Sequence, residues 1–566
     1  MSLIIRNGSV VDGTGNPWYA ADVRVVDAQI VEVGRNLQAI DGCQVIDASG
    51  LVVAPGFVDI HGHSDYLMLA DPVARSKIRQ GVTTDVAGNC GYSAIPQGEE
   101  AFFQEWWTPE IGERFKVVSQ EQGRAMLSEH GIDLNWKDLD GYYSELRTKG
   151  MSVNYATFVG HVALRLAVMG EYQRKPNADE MDQIKEKLDL AMRQGAFGIS
   201  TECGTHRNMD FDLSELEDMC QVIRGYGGRF AFHIRDYGDN LLESMEEALW
   251  LLKRTGVPGI ISHILSRGRE NWGKARYALQ MMEEARRDGV DVIGDIMPYG
   301  YSEALFFTPY LRDLLPEWSF EGGSQALVER LNQPDLVARL TEELRAGKSS
   351  AFYVAPGFDE EEAYGQGPLA DPAWPHYVRV VESEVPEFVG RTFAELAADG
   401  DTFGALFEVL RRDPDAKKLI TEVSDDDHRL IATHPLVAYG TDGGLVHAIK
   451  RPGLPNPTLY GVFPYILRRY VREEGVLSLE EAVRKMTSLA TRGLGLRGRG
   501  LIEAGNAADI VVFDPDTVSD VVSYDEFPAE FACGIEAVVV NGVPVLLGGE
   551  VTGELPGEPL LNPGAE

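Results

Sequence analysis

Basic charge, cysteine and long apolar runs are all scarce in this sequence. Only 52 Lys and Arg stand against 88 Asp and Glu, a formal net charge of −36. An excess of that sign repels phosphate backbones and anionic lipid surfaces, which sets aside nucleic acid and membranes as main partners. Five cysteines occur, Cys43, Cys90, Cys203, Cys220 and Cys533, odd in number and widely spaced. No disulfide framework is expected, and each thiol is judged on its own. No window approaches the roughly 18 uncharged apolar residues of a membrane helix. The opening Met1-Ser2-Leu3-Ile4-Ile5-Arg6 passes into a strand pattern without the apolar stretch of a signal peptide, so a cytoplasmic protein is expected.

What is present is globular material at large size: 566 residues, 44% hydrophobic and 25% charged. That length suits several domains or one α/β barrel with insertions. Short β-rich runs fill the first fifty residues, with Asn7-Gly8 as a two-residue hairpin signal, and the same texture returns in Ala508–Phe513 and Ala537–Gly542. The two ends are expected to pair into one β-sandwich or barrel. Between them lie eight apolar runs, at 52–60, 82–88, 154–160, 195–201, 229–235, 259–265, 291–298 and 436–441. Many alternate with helical patterns, which is the rhythm of a (β/α)₈ barrel.

One helix is clear after Asn177, where Met181, Ile184, Leu188 and Met192 form an apolar stripe. Another begins at Ser478 with Glu481 as a capping box, followed by Ala482, Met486 and Leu489. The expected organisation is therefore a β-sandwich part over 1–54, barrel strands one to seven over 55–301 and an inserted subdomain over 302–430. Strand eight and C-terminal helices follow over 431–497, the second β-sandwich part over 498–551 and a loose Gly/Pro/Glu-rich tail over 552–566.

In such a barrel the reactive groups sit at the carboxyl ends of the strands. Those ends carry His61 and His63, Cys90, His233, His263 and Asp442, all of metal-ligand type. Residues two apart on a strand point the same way, so His61-Gly62-His63 can aim both imidazoles at one ion. The other donors could hold a second ion or close the first site. A thiolate at Cys90 favours zinc over magnesium or calcium. A bound ion lowers the pKa of water toward about 7, and Asp442 could accept its proton. Taken singly each residue has an ordinary explanation: Cys90 a small buried hydrophobe, His263 a satisfied core histidine, Asp442 a turn residue. Their joint placement at strand ends argues otherwise.

The segment Pro55-Gly56-Phe57-Val58-Asp59-Ile60-His61-Gly62-His63 resembles the opening signature of the amidohydrolase superfamily. Gly81-Val82-Thr83-Thr84, Gly88-Asn89-Cys90-Gly91, Ile261-Ser262-His263, Asn271-Trp272-Gly273-Lys274 and Glu480–Thr487 are more specific. Together they resemble the D-aminoacylase (N-acyl-D-amino-acid deacylase) family over nearly the whole chain. The resemblance implies a tightly bound zinc on Cys90, His233 and His263. It implies a second, weaker position at His61, His63 and Asp442, with Asp442 as catalytic base and acid, and an insertion before the last strand.

The departures bear on substrate. Many members carry Gly-Leu-x-Tyr after strand four and a Lys after the strand-six His, similar to carboxylate anchors. Here the first segment reads Ser200-Thr201-Glu202-Cys203-Gly204-Thr205-His206-Arg207, and Leu265 stands in place of the Lys. Arg235, Arg207, Arg267 or Arg269 could grip a carboxylate instead. Glu202 reads as an extra ligand, a substrate contact or a loop carboxylate paired with Arg207. No lysine on strand four offers itself for carboxylation, which disfavours a hydantoinase-like site. His161 resembles a family Gly-His pair lining the site, with a hydrogen-bonding structural role equally open, and His206 and His447 are mouth-facing candidates.

The expected activity is zinc-dependent hydrolysis of a linear amide C–N bond in a small molecule, by resemblance an N-acyl-D-amino acid. The alternatives are the same chemistry on another amide, carbamoyl compound or lactam, a barrel retained as a scaffold, and a binding module for an acyl amino acid. The sequence sets no oligomeric state and leaves a homo-oligomer open.

Overall fold

The structure, a computed structural model, describes residues 2–39, 42–97, 100–104, 115–128, 130–203, 211–299, 310–348, 369, 371–397, 400–421, 423–445, 457–521 and 531–565. Strands from both chain ends share one nine-stranded sheet, in which Val52–Pro55 lies antiparallel to Ile510–Phe513. Asn7-Gly8 makes no hairpin. It forms a bulge inside the strand Ser2–Val10, with Asn7 in the left-handed region (φ 63°) and bonded to Asp22 and Asp47. The same dipeptide at Asn541-Gly542 does turn, joining Ile535–Val540 to Val543–Leu547 with positive φ at both residues.

The first apolar run serves two sheets. Across a single peptide its partner changes: Gly56 N donates to Asp509 O (2.9 Å) and Phe57 N to Gly81 O (3.0 Å). From there the parallel strands follow in chain order: Phe57–Asp59, Val82–Ala87, Asn154–Thr157 with Val159–Gly160, Gly198–Glu202, Arg229–His233, Gly259–Ile261, Val292–Ile296 and Val437–Tyr439. They are buried almost throughout, which is why they read as continuous apolar runs rather than alternating ones. Val58, Val86, Ala156, Phe197, Ala231, Ile260, Ile293 and Ala438, one from each strand or the residue leading into it, fall in one apolar cluster. A parallel bridge between Gly62 and Gly443 links the segment after the first strand to the segment after the eighth.

Helices cover these strands. Ala178–Arg193 starts at a capping box between Asn177 and Glu180 and buries Met181, Ile184, Leu188 and Met192. At Ser478 the hydroxyl accepts from Glu481 N, but the Glu481 carboxylate is taken by Arg484, and the helix Leu479–Met486 stops before Leu489. Within 310–421, Leu311, Leu327, Trp374, Phe393, Leu406 and Ile420 build a separate core beside a two-stranded sheet, Val378–Glu382 with Lys417–Ile420. The next helix, Asp425–Thr433, sends Ile431 and Ala432 into the main core instead. Residues 552–565 are not loose: Gly557, Leu560 and Asn562 donate backbone bonds to Met151, Tyr155 and Gly195, and Leu560 joins the cluster between the parallel strands. No described helix is long and apolar enough to cross a membrane.

Candidate metal centre

Each donor projects from just beyond a strand end or from its last residue: His61 and His63 after the first strand, Cys90 after the second, His233 closing the fifth, His263 after the sixth and Asp442 after the eighth. The ligand atoms of His61, His63, Cys90 and Asp442 lie within 4.8 Å of one another, and so do those of Cys90, His233 and His263. Cys90 belongs to both groups. Its sulfur is 3.3 Å from His61 Nε2 and 3.4 Å from His263 Nε2, while Asp442 Oδ1 is 2.9 Å from His63 Nε2 and 3.3 Å from His61 Nε2.

The local sequence explains this convergence. A Cβ at Gly62 would stand 2.4 Å from Asp85 Oδ1, so only glycine separates the two histidines. Cys90, His263 and Asp442 all hold positive φ (50°, 32° and 45°). That conformation costs a non-glycine residue of order 1–3 kcal/mol and persists where surrounding bonds over-determine it. His263 N is held by Asp295 Oδ1 at 2.7 Å and Asp442 N by His61 O at 2.8 Å.

A soft cation suits this donor set. The buried Nδ1 atoms of His233 and His263 have no hydrogen-bond partner among the described residues, an arrangement that costs about 1–3 kcal/mol per group without a ligand. One thiol and two imidazoles match zinc chemistry, and two imidazoles with a carboxylate match a harder second position. Without an ion, burial pushes the Cys90 thiol well up, although His61 works against it. Burial and the neighbouring His263 keep His233 well below its ordinary value. Asp442 goes the other way: burial would raise it, but His61 and a hydrogen bond from His63 hold it well below the carboxylate range. A bound cation would favour the thiolate and the neutral imidazoles that ligation requires.

The remaining sequence candidates are placed as follows. Glu202 Oε1 lies 3.1 Å from His233 Nε2, at the rim of the centre. Arg235 bonds Glu247 through Nε (2.7 and 2.9 Å) and stacks on Phe211 with its guanidinium 4.1 Å from the ring centre. His161 is fully buried, with Nδ1 3.2 Å from Thr201 Oγ1 and Nε2 2.7 Å from Glu215, so both ring nitrogens are engaged away from the donors. Arg267 makes a backbone bridge to Val423, and Arg269 stacks on Trp272 and Tyr377. Leu265 is buried. His206, Arg207 and His447 lie outside the described residues.

Two residues of the centre escaped the sequence reading. Asp295, in the seventh strand, lies 3.2 Å from His61 Nδ1 and also holds the His263 amide. A carboxylate inside the apolar run Val292–Ile296 was the available signal. Tyr237 packs against the His233 and His263 rings, its centroid 5.2 and 5.1 Å away, and its hydroxyl bonds Ile234 N and Ser262 O. Nothing local marks that role.

Known proteins resemble the chain along nearly its whole length. The chain is 31% identical to the N-acyl-D-glutamate deacylase of Alcaligenes xylosoxydans xylosoxydans, covering 96% of this chain and 93% of that protein. It is 30% identical to the D-aminoacylase of the same organism, covering 100% and 98%. The crystal structure of N-acyl-D-glutamate deacylase from Bordetella bronchiseptica, complexed with zinc and a phosphonate mimic of the tetrahedral intermediate, superposes with a TM-score of 0.70 at 30% identity, over 99% of both chains. The family model described as Amidohydrolase family matches residues 44–346 and 393–546, a span that holds all six donors, and by that match and these full-length likenesses the chain belongs to the amidohydrolase family.

Proposed function

We propose that this chain is a zinc-dependent deacylase of N-acyl-D-amino acids. The observation that carries the reading is the convergence of six donors in two groups that share Cys90. In this reading the eight parallel strands close into a (β/α)₈ barrel, with an insertion whose own core lies within 310–421 and the chain ends as an accessory β-sandwich. The interior cluster drawn from all eight strands and the Gly62–Gly443 bridge support that closure.

Cys90, His233 and His263 would hold one zinc tightly, and His61, His63 and Asp442 would form the weaker position. When bound, the metal supplies Lewis acidity, acidifying water and polarising the scissile carbonyl. Asp442 takes a proton from the attacking water and returns one to the leaving nitrogen, so amide and water give a carboxylate and a free amine. Asp295 and Glu202 orient His61 and His233. Arg235 anchors the substrate carboxylate with its Nη groups, since its hydrogen bonds to described residues run through Nε alone. A cytoplasmic setting belongs to this reading because Cys90 must stay reduced.

Leu265 favours a second reading. A buried aliphatic residue takes the place of an anchoring Lys, which suits the same chemistry on a different amide. One experiment separates the two: zinc content together with turnover of matched N-acetyl-D- and N-acetyl-L-amino acids. The first reading expects tightly bound zinc and D-selective release of acetate that stops under chelation. Zinc without turnover of any acyl amino acid would give the second reading the field, and protein that takes up no metal would overturn both.

A further inference from the structure

Beneath the metal centre lies a buried charge cluster that the proposed chemistry does not use. Lys77, on the short helix Arg75–Ile78, is 2.5 Å from Asp59 Oδ2 and 3.0 Å from Asp85 Oδ1. The three side chains are at most 1% exposed. A buried ion pair is a poor source of stability, since desolvation offsets most of its attraction. One cation facing two carboxylates, carried by two strands and a helix, calls for another explanation.

The cluster's remaining bonds supply it. Asp59 accepts from Thr441 N at 2.9 Å and from Thr441 Oγ1 at 2.6 Å. Lys77 Nζ donates to Thr441 Oγ1 at 3.0 Å and to Gly443 O at 3.2 Å. Residues 441 and 443 are thus gripped on either side of Asp442, whose own amide is tied to His61 O. His63 N closes the lacing by donating to Gly443 O at 3.0 Å. The strained left-handed backbone of Asp442 is fixed from both neighbours at once.

We propose that Lys77, Asp59 and Thr441 form a clamp that positions Asp442, as a member of the weaker metal position and as the proton carrier. The clamp acts through Asp442 and touches no substrate. It rests on the role given to Asp442 above, but its test does not depend on the substrate. A misplacement of about 1 Å in a reacting group is enough to cost on the order of 100-fold in rate.

Lys77 makes a poor first variant, because its loss leaves two buried carboxylates unpaired. Thr441→Val removes one hydroxyl and keeps the charges, and Thr441→Ser restores the hydroxyl. Full-length zinc-titrated protein is compared with both variants. In Thr441→Val the first zinc equivalent should bind as in the wild type, the second should weaken about tenfold, and kcat should fall about tenfold or more with KM nearly unchanged. Thr441→Ser should behave as the wild type. A Thr441→Val protein with unaltered second-equivalent affinity overturns the clamp. So does one that unfolds or loses the first equivalent too, because the network would then hold the fold rather than one side chain. If the wild type deacylates nothing, the zinc titration still decides the clamp, and only the proposed function fails.

Discussion

Glu202 Oε1 stands 3.1 Å from His233 Nε2, while Nδ1 of the same buried ring has no hydrogen-bond partner among the described residues. A ligating histidine usually gives its second ring N–H to a carboxylate, which fixes the tautomer and orients the ring. Glu202 therefore keeps the proton on Nε2 and leaves the Nδ1 lone pair for a cation. Glu202→Ala should weaken the tightly bound zinc about 10- to 100-fold. Glu202→Gln should lose less, because its amide oxygen still accepts that proton. Competition against a chromophoric chelator measures both, and equal affinity in wild type and Glu202→Ala would end this assignment.

Asp442 Oδ1 lies 2.9 Å from His63 Nε2 and 3.3 Å from His61 Nε2. Asp442→Asn keeps the shape and removes the base. The tight zinc, held by three other residues, should remain at one per chain, while kcat should fall about 10²- to 10⁴-fold. Metal analysis beside steady-state turnover checks the pair of outcomes, and a fully active variant would remove Asp442 from the chemistry.

Arg235 is fixed by Glu247 through Nε and by the Phe211 ring beneath it. A guanidinium so oriented binds a carboxylate by its remaining fork. Arg235→Met should raise KM for an N-acetyl-D-amino acid about tenfold or more, a loss of 1.4 kcal/mol or more in binding, with a small effect on kcat. The corresponding amide, lacking the carboxylate, should be hydrolysed equally by both proteins. An unchanged KM would assign Arg235 to structure alone.

The six donors were legible because their message is local: a metal-ligand residue just past an apolar run. Asp295, Tyr237 and Lys77 were not, because each acts on partners from distant strands, as when Lys77 reaches Thr441 and Gly443. His161 lies between these cases. Its Gly-His resemblance left a site role and a structural role equally open, and only its distant partners Glu215 and Thr201 show how both ring nitrogens are engaged. Asn7-Gly8 and Asn541-Gly542 carry identical local signals, and only the second turns. In the first, Asp22 and Asp47 capture Asn7 within a continuing strand. Dipeptide chemistry fixes the left-handed φ, and tertiary partners decide what it is used for.

Glu215 contributes to the acid limb of stability. Burial works to raise its carboxyl, yet hydrogen bonds from His161 and Arg165 bring it from its ordinary 4.5 to about 2. Burial keeps His161 below its ordinary value, so the permanent charge partner is Arg165, at 2.6 and 2.8 Å. A depressed carboxyl stabilises the fold above its unfolded value, and that contribution fades as pH falls from about 4.5 to about 2. It amounts to about 3 kcal/mol. Glu215→Gln should therefore be clearly less stable than the wild type at pH 7, and the gap should narrow steadily below pH 4.5. Urea unfolding at a series of pH values reads it, and a gap of constant size would contradict the pairing.

Leu560 tests whether the last residues are structural. The segment runs under the amino ends of the third and fourth strands, where Gly557 and Leu560 donate to Met151 O and Tyr155 O at 2.7 Å and Asn562 to Gly195 O at 2.9 Å. Leu560 is 8% exposed and belongs to the apolar cluster that also holds Val58, Ile60 and Phe158. Truncating such a side chain removes its transfer energy and leaves a cavity, a cost of about 2–5 kcal/mol for Leu→Ala. The metal donors sit at the carboxyl ends of the first, second, fifth, sixth and eighth strands. Leu560→Ala should therefore lower the unfolding free energy by about 2 kcal/mol or more while zinc content and kcat stay at wild-type values. A variant that keeps its stability, or that loses zinc in proportion to it, would show that the segment does not act as a separate floor beneath the site.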